Sequence, residues 1–181
     1  MNQYSLEDVC KKITDGAHFS PKEQEDGYLM FSVKDMTEYG FDRSNCKHIS
    51  STDFEKLKIQ DCVPQKDDVL VAKDGSYLKH IFLCEEDNEE GILSSIAIFR
   101  PNTQVIIPKY LMYLLKSPKV FNDVKNNYVS GSALPRIVLK DFKKIKFEIP
   151  ELSVQTKVVK ILDSIDAKIK NNIRINNNLA A

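Results

Sequence analysis

The stretch "GSALPRIVLKDFKKIKFEIPELSVQ", residues 131–155, decides the fold because it changes character twice within twenty-five residues. It opens with a small-residue turn and continues into a basic run in which Ile145, Phe147 and Ile149 alternate with charged residues. Such alternation is typical of a half-buried strand, and the following Pro150 favours a corner that leads into a helix. The stretch therefore predicts that a globular domain ends near Pro150 and that a helix follows it.

The residues after this corner repeat with the period of a helix. A series of apolar residues that ends in one Asn recurs at a mean interval of 3.6 residues: Val158, Leu162, Ile165, Ile169, Ile173 and Asn176. The segment contains no Gly or Pro. A helix of about 25 residues is about 38 Å long, which exceeds the edge of a compact domain. We expect it either to fold back over its own sheet or to form a coiled-coil arm that pairs with a second chain or copy.

The first hundred residues have the composition of strands. The segments "GYLMFSVKDM" and "DDVLVAK" are rich in β-branched and aromatic residues, and "HIFLCEEDNEEGILSSIAIFRP" predicts two strands around an acidic turn. "YSLEDVCKKI" predicts a short first helix capped by Ser5, and "PKYLMYLLKSPKVFNDVKNNY" predicts two more helices after the strands. The predicted fold class is α+β, with a mixed, β-rich globular domain over residues 1–150 and a long amphipathic, coiled-coil helix over residues 151–181.

The formal net charge of zero hides a strong asymmetry along the chain. Residues 1–100 contain 12 Lys and Arg against 20 Asp and Glu, whereas residues 101–181 contain 14 against 6. Residues 85–90 hold five acidic side chains, which a solvated hairpin loop explains most simply. The basic half includes side chains that can lie along phosphates: Arg136, Lys140, Lys143, Lys144 and Lys146.

Several classes of protein are excluded or disfavoured. No apolar run approaches the roughly 20 residues that span a bilayer, and "MNQYSLEDVCKK" lacks a signal-peptide core, so we expect a cytoplasmic protein. The four cysteines contain no CxxC pair, and Cys46 with His48 is too sparse for zinc. No metal site is predicted.

Enzymatic motifs fail at the positions that matter. A restriction-type nuclease needs an acid two residues before its lysine, but Val71 precedes Lys73 at that position. A methyltransferase needs a Gly-rich cofactor loop and an Asn/Asp-Pro-Pro-aromatic motif, and neither occurs. Asp163 and Asp166 on the helix are best explained by solvation or by pairing with Lys170. No catalytic residue is predicted.

Three segments in order carry a resemblance to a known family. "GSALPRIVLKDFKKIKFEIPELSVQTKVVKILDSIDAKI" resembles the junction of type I restriction-modification specificity subunits, where a target recognition domain ends in a turn, a strand, a corner with a Gln and a long helix. "ITDGAHFSP" resembles that family's early "DG-x-H-x-x-P" loop, and "DDVLVAKDGSYLKH" its "GD-x-L-x-x-x-x-GS" segment. The usual member has two recognition domains and two helices, whereas this chain has one of each, so we expect either a half-subunit or a single half of a longer subunit.

The resemblance implies sequence-specific reading of double-stranded DNA without catalysis by this chain. Its implied partners are methyltransferase subunits, a restriction subunit, and a second copy or another half that pairs through Val158, Leu162, Ile165, Ile169 and Ile173. The chain is expected to need no cofactor, because S-adenosylmethionine would bind the methyltransferase subunit. Two domains separated by paired helices of about 38 Å would meet DNA about one turn apart.

The three segments also supply the candidate DNA contacts, since base and phosphate recognition need donors, acceptors and cations on a supported loop. Arg136 is the best single candidate, because a guanidinium binds guanine or phosphate through two hydrogen bonds. The other candidates are Lys73, Ser76, Lys79, His80, His18, Lys22 and Ser132. The alternative function is a non-catalytic assembly module with a degenerate reading domain, which the acidic first half favours. A nuclease with an unrecognised site is a third possibility.

Overall fold

A computed structural model describes residues 2–75, 78–87, 89–129 and 135–179. Within these ranges, three β-sheets and short helices form a globular part, and a 28-residue helix follows. The α+β class, the β-rich domain and the long C-terminal helix are thereby confirmed.

The strands are β1 Asn2–Ser5, β2 Cys10–Asp15, β3 Tyr28–Phe31, β4 Lys47–Ile49, β5 Val69–Ala72, β6 Ile81–Leu83, β7 Glu90–Ile92, β8 Ile96–Pro101 and β9 Lys146–Ile149. The helices are α1 Leu6–Val9, α2 Ser51–Ile59, α3 Pro108–Lys116, α4 Pro118–Asn127, α5 Leu139–Phe142 and α6 Leu152–Leu179.

A four-stranded antiparallel sheet in the order β2-β8-β5-β6 forms the centre of the domain. Both of its faces are covered, which is why every residue of β5 is apolar and buried. Val69 and Val71 pack into one core with residues of α3 and α4, whereas Leu70 and Ala72 pack into a second core beneath β3. Side chains alternate between the faces of a strand, so "VLVA" serves both cores.

The acidic turn does not join a hairpin, so that prediction was wrong. β6 pairs with β5, whereas β7 crosses to a second sheet, of order β4-β3-β7, and pairs there in parallel with β3. Residues 93–95 then separate β7 from β8. The sequence marks apolar segments but does not determine which segments pair, because pairing depends on distant parts of the chain.

The first helix is shorter than predicted. Ser5 and Asp8 cap each other reciprocally, as predicted for Ser5, but the helix ends at Val9. Cys10 and Ile13, expected on the helix, lie in β2 and pair with β8. The hydrogen bonds of this ladder outweigh the weak helical preference of so short a segment.

Helix α6 begins at the corner after β9, as predicted, and its 28 residues correspond to about 42 Å. Its first half contacts α3, whereas an apolar stripe along another side remains exposed. Ile161, Ile165, Ile169 and Ile173 are 43–62% exposed, so the helix does not fold over its own sheet with its apolar side. No helix among the described residues is long and apolar enough to cross a membrane.

Candidate nucleic-acid interface

Two of the motif loops leave the central sheet at the same end. β2 and β5 flank β8 as antiparallel neighbours, and Asp15 and Ala72 pair with Ala97 and Ile96 at the beginning of β8. The loop after β2, residues 16–22, and the segment after β5, described at residues 73–75 and 78–80, therefore start side by side. The sheet brings together segments that are far apart in the sequence.

A buried ion pair joins these two loops. The Nζ of Lys73 donates to Oδ2 of Asp15 over 2.6 Å, and the two residues are only 8% and 7% exposed. The second oxygen of Asp15 lies 3.1 Å from Nε2 of His18, whose side chain is 76% exposed. One carboxylate thus contacts both the end of β5 and the exposed histidine of the first loop.

The third motif segment attaches to the second loop through the backbone. Asp74 and Arg136 form an antiparallel bridge, and the N–H of Gly75 donates to the carbonyl of Pro135 over 2.8 Å. The N–H of Ile137 donates to the carbonyl of Lys73 over 3.2 Å, and the Ile137 side chain is fully buried in the main core. Arg136 itself is exposed and lies beside the loop of Lys73.

Two glycines fit their positions for steric reasons. A Cβ at Gly16 would lie 2.2 Å from the carbonyl oxygen of Ile92, so only glycine lets the first loop approach β7 this closely. Gly75 has a φ of +68°, in the left-handed region that glycine adopts at low cost. The glycine of the first "DG" is therefore required by close packing, and the glycine of the second by the backbone conformation.

The predicted site residues occupy different environments around this junction. Lys22 and Lys79 are exposed, as are His18 and Arg136. Ser76 and Ser132 lie outside the described residues. Lys73, a candidate DNA contact in the sequence analysis, is buried instead, and Asp15 supplies the counter-charge that a buried ammonium needs.

His80 is half-buried, and its Nδ1 has no hydrogen-bond partner among the described residues. Burial lowers its pKa, and the nearby Lys79 and Lys116 act in the same direction. The ring is therefore neutral at physiological pH, so His80 can offer a donor and an acceptor but not a cation.

A depression of about 400 Å³ opens beside the first loop, and its lining includes His18, Phe19, Gln60 and Cys62. Burial raises the pKa of the Cys62 thiol, and the carboxylates of Asp15 and Asp61 raise it further. The thiol stays protonated and is a poor nucleophile. No group of three or more metal-ligating side chains occurs in the part of the chain that the structure describes.

The acidic loop lies away from this junction. β6 begins beside the second loop at Ile81 and ends at Leu83, and Cys84 then pairs through its backbone with Asp67 before β5. Residues 85–90 consequently follow the far end of the sheet. The acidic loop therefore leaves the sheet at the end opposite to the bridge of Asp74 and Arg136.

The basic run after Arg136 is partly neutralised. Lys143 pairs with Glu7 over 3.0 Å and Lys144 with Asp141 over 3.0 Å. Arg136, Lys140 and Lys146 are exposed, and no ion pair in the described part of the chain involves Lys140 or Lys146. The electropositive surface is therefore smaller than the sequence predicts.

A second cavity, of about 300 Å³, lies between α3, α6 and residues 38–43. Its charged groups are paired with each other, as Lys116 with Glu38 over 2.9 Å and Lys109 with Asp163 over 3.1 Å. Tyr113 lies between the helices, where its hydroxyl is within hydrogen-bond distance of Asp163 and Asp166, 2.8 and 2.9 Å away. These contacts form a joint between domain and helix.

The joint corrects the prediction for the two helix carboxylates. Asp163 and Asp166 contact α3 rather than Lys170, whose ammonium lies 4.6 Å from the ring centre of Tyr39. Burial and the two carboxylates raise the pKa of Tyr113, which keeps its hydroxyl protonated. Sequence spacing alone could not show this contact, because its partner lies on another helix.

The chain is similar to curated specificity subunits. It is 30% identical over 114 residues to the specificity subunit of the type I restriction enzyme MjaVIII of Methanocaldococcus jannaschii, an overlap of 62% of this chain and 25% of that protein. It is 24% identical over 102 residues to the HindI specificity subunit of Haemophilus influenzae, covering 56% of this chain and 22% of the relative. The chain thus spans about a quarter of the length of these relatives.

Solved structures share the fold at low sequence identity. The HsdS subunit from Thermoanaerobacter tengcongensis matches with a TM-score of 0.66 at 15% identity, over 96% of this chain and 44% of that one. The S subunit of the type I restriction-modification system from M. genitalium matches with a TM-score of 0.62 at 15% identity, over 94% of this chain and 40% of that one.

The family described as the type I restriction modification DNA specificity domain matches residues 1–181. The three motif segments, the fold and the family match agree with one another, and the chain belongs to this family.

Proposed function

We propose that this chain reads one part of a bipartite DNA target as a specificity half-subunit of a type I restriction-modification system. The observation that carries the proposal is the convergence of three separate loops on one end of the central sheet, with Arg136 and His18 exposed there. Sequence reading needs hydrogen-bonding groups on a rigid support, and this junction provides both.

Arg136, Lys79, His18 and Lys22 are the proposed contacts among the exposed residues. His80 is proposed to contribute a neutral donor and acceptor, and Ser76 and Ser132 stay predictions. The chain is proposed to be non-catalytic and without a cofactor of its own, since S-adenosylmethionine would bind the methyltransferase subunit. That subunit, a restriction subunit and double-stranded DNA are its proposed partners, in the cytoplasm.

Helix α6 is proposed to serve as the spacer and the pairing surface. Its apolar stripe is exposed although Asp163 and Asp166 contact α3, so a second helix can cover the stripe while those contacts remain. The proposed mate is a second copy of this chain or another half-subunit, with residues Val158, Leu162, Ile165, Ile169 and Ile173 at the interface. The half-buried Val158 and Leu162 would form its edge.

The test is duplex binding by the complex of this chain with its methyltransferase subunits, measured against salt. We expect the logarithm of affinity to fall linearly with the logarithm of salt concentration. Arg136→Ala should cost about 1–3 kcal/mol if the guanidinium contacts a base, or lower the salt slope by about 1 if it contacts a phosphate.

Arg174→Ala is the matched control, because it removes the same charge from an exposed site near the end of α6. It should leave duplex affinity within experimental error of the wild type. Equal affinity of the Arg136→Ala variant and wild type would contradict the assignment of Arg136. Absence of any preference for a target sequence would favour an assembly module instead.

A further inference from the structure

The ion pair of Asp15 and Lys73 joins the end of β2 to the loop that follows β5. Each residue stands at the end of its strand, Asp15 closing β2 and Lys73 following β5. Their backbones are fixed independently, since the N–H of Lys73 donates to the carbonyl of Ser95 over 2.9 Å. The side chains therefore bridge two supported strand ends rather than two free loops.

The pair has the features of a positioning contact. The two charged residues are only 7–8% exposed, so the desolvation of their charges costs about as much free energy as their attraction returns. Such a pair therefore adds little to the free energy of unfolding. Replacement of such a pair by two apolar residues of similar volume is often neutral or stabilising. Apolar residues make no directional contacts, however. They would not fix the first loop, which Asp15 contacts through His18, relative to the segment of Ile137, which is hydrogen-bonded to the backbone of Lys73.

From the proposed function and this geometry, we infer that Asp15 and Lys73 are positioning residues that set discrimination between DNA sequences. Lys73 itself contacts no phosphate, because its ammonium is buried and directed at Asp15. Through Asp15 the pair orients His18 in the first loop, and through its backbone Lys73 aligns the segment of Arg136. Losing the pair leaves the exposed cations in place but lets the loops move relative to each other.

The salt dependence of binding separates this role from direct contact. A lysine that neutralises a phosphate contributes about 0.9 to the salt slope, whereas a buried positioning lysine contributes nothing. The variant Asp15→Asn/Lys73→Met removes both charges at nearly constant volume and leaves the net charge unchanged. Lys73→Met alone leaves a buried carboxylate without its partner and serves as the second variant.

The experiment compares binding of the methyltransferase complex to a duplex carrying its methylated motif and to a scrambled duplex of the same composition. We expect the double variant to lose about tenfold in the ratio of the two affinities, the worth of one base contact, with the salt slope unchanged. Lys73→Met should lose more than the double variant, because the second change removes the unpaired buried charge. Thermal denaturation of each variant is measured first, and binding is then compared at a temperature at which all variants are folded.

Lys79→Met is the matched comparison, since it removes an exposed lysine from the same loop. A double variant that discriminates as the wild type does would overturn the inference while leaving the proposed function intact. A salt slope lowered by about 1 would also overturn it, because Lys73 would then contact a phosphate. Failure of the wild-type complex to discriminate between the duplexes would overturn the proposed function and the inference together.

Discussion

Gln155 shows how one side chain fixes the corner between domain and helix. It is fully buried at the start of α6, where its amide nitrogen donates to the carbonyls of Val105 and Pro150 over 3.1 and 2.9 Å. Its amide oxygen accepts from the N–H of Ile107 over 2.9 Å. The side chain thus donates two hydrogen bonds and accepts one, which is the combination that a carboxamide offers.

Replacing Gln155 by Leu should destabilise the protein by at least about 3 kcal/mol, because three part-buried backbone groups lose their partner at about 1–3 kcal/mol for each unsatisfied group. Chemical denaturation in urea measures the free energy of unfolding. Gln104→Leu is the control, since Gln104 is exposed and its removal should change stability by less than about 0.5 kcal/mol. Equal unfolding midpoints for the two variants would contradict this role of Gln155.

At this scale the sequence predicted residue types better than their contacts. The Gln of the corner and the loop residues His18 and Arg136 were identifiable from the motifs. The burial of Lys73 was not, because its counter-charge Asp15 lies at the end of a strand that is distant in sequence. The sequence features that could have indicated this ion pair are an acidic residue at the end of β2 and a lysine directly after the wholly apolar β5.

Helix α6 presents different chemistry on different sides. The side toward α3 is polar and carries Asp163 and Asp166, which contact Tyr113. The exposed stripe is apolar and continues beyond the last contact with α3. A helix that only capped its own domain would bury this stripe, so its exposure favours pairing with another helix.

Ile165→Lys or Ile169→Lys should weaken association of the chain by about 10–100-fold, since each removes an apolar side chain worth about 1.5–3 kcal/mol when buried. Analytical ultracentrifugation across concentrations measures this. Asn171→Lys adds the same charge on another side of α6 and should associate as the wild type does. Pairing that is as tight in both isoleucine variants as in Asn171→Lys would contradict the proposed interface.

The period of α6 and its start after Pro150 were predictable because local sequence determines them. The path of the strands was less predictable. Residues around the acidic turn were recognised as strands, but β7 pairs in parallel with β3 in a different sheet. Local pattern carries no information about that partner, and packing of the whole domain decides it.

In the whole molecule, the distribution of charge and the length of α6 fit the proposed reading of a duplex. The acidic loop follows the far end of β6, whereas the exposed Arg136 and His18 lie at the opposite end of the sheet. The 42 Å estimated for α6 is comparable with the 34–36 Å of one DNA turn. Two domains on paired helices would therefore reach two short targets separated by an unread gap.

The symmetry of that target depends on the mate. Two copies of this chain would present the same loops in both halves and read a palindrome with an unspecified middle. A different half-subunit would give two unlike halves. The symmetry of the target sequence thus shows whether the pair consists of two identical or two different half-subunits.

The most direct measurement is the methylation pattern of the source genome at single-base resolution, with the gene for this chain present and deleted. Deletion should abolish methylation at one two-part motif, palindromic if two copies pair and asymmetric if another half is the mate. Re-expression of the wild-type gene should restore the motif, whereas Asp15→Asn/Lys73→Met should restore it incompletely or at relaxed sites. An unchanged methylation pattern after deletion would contradict the proposal that this chain directs DNA recognition.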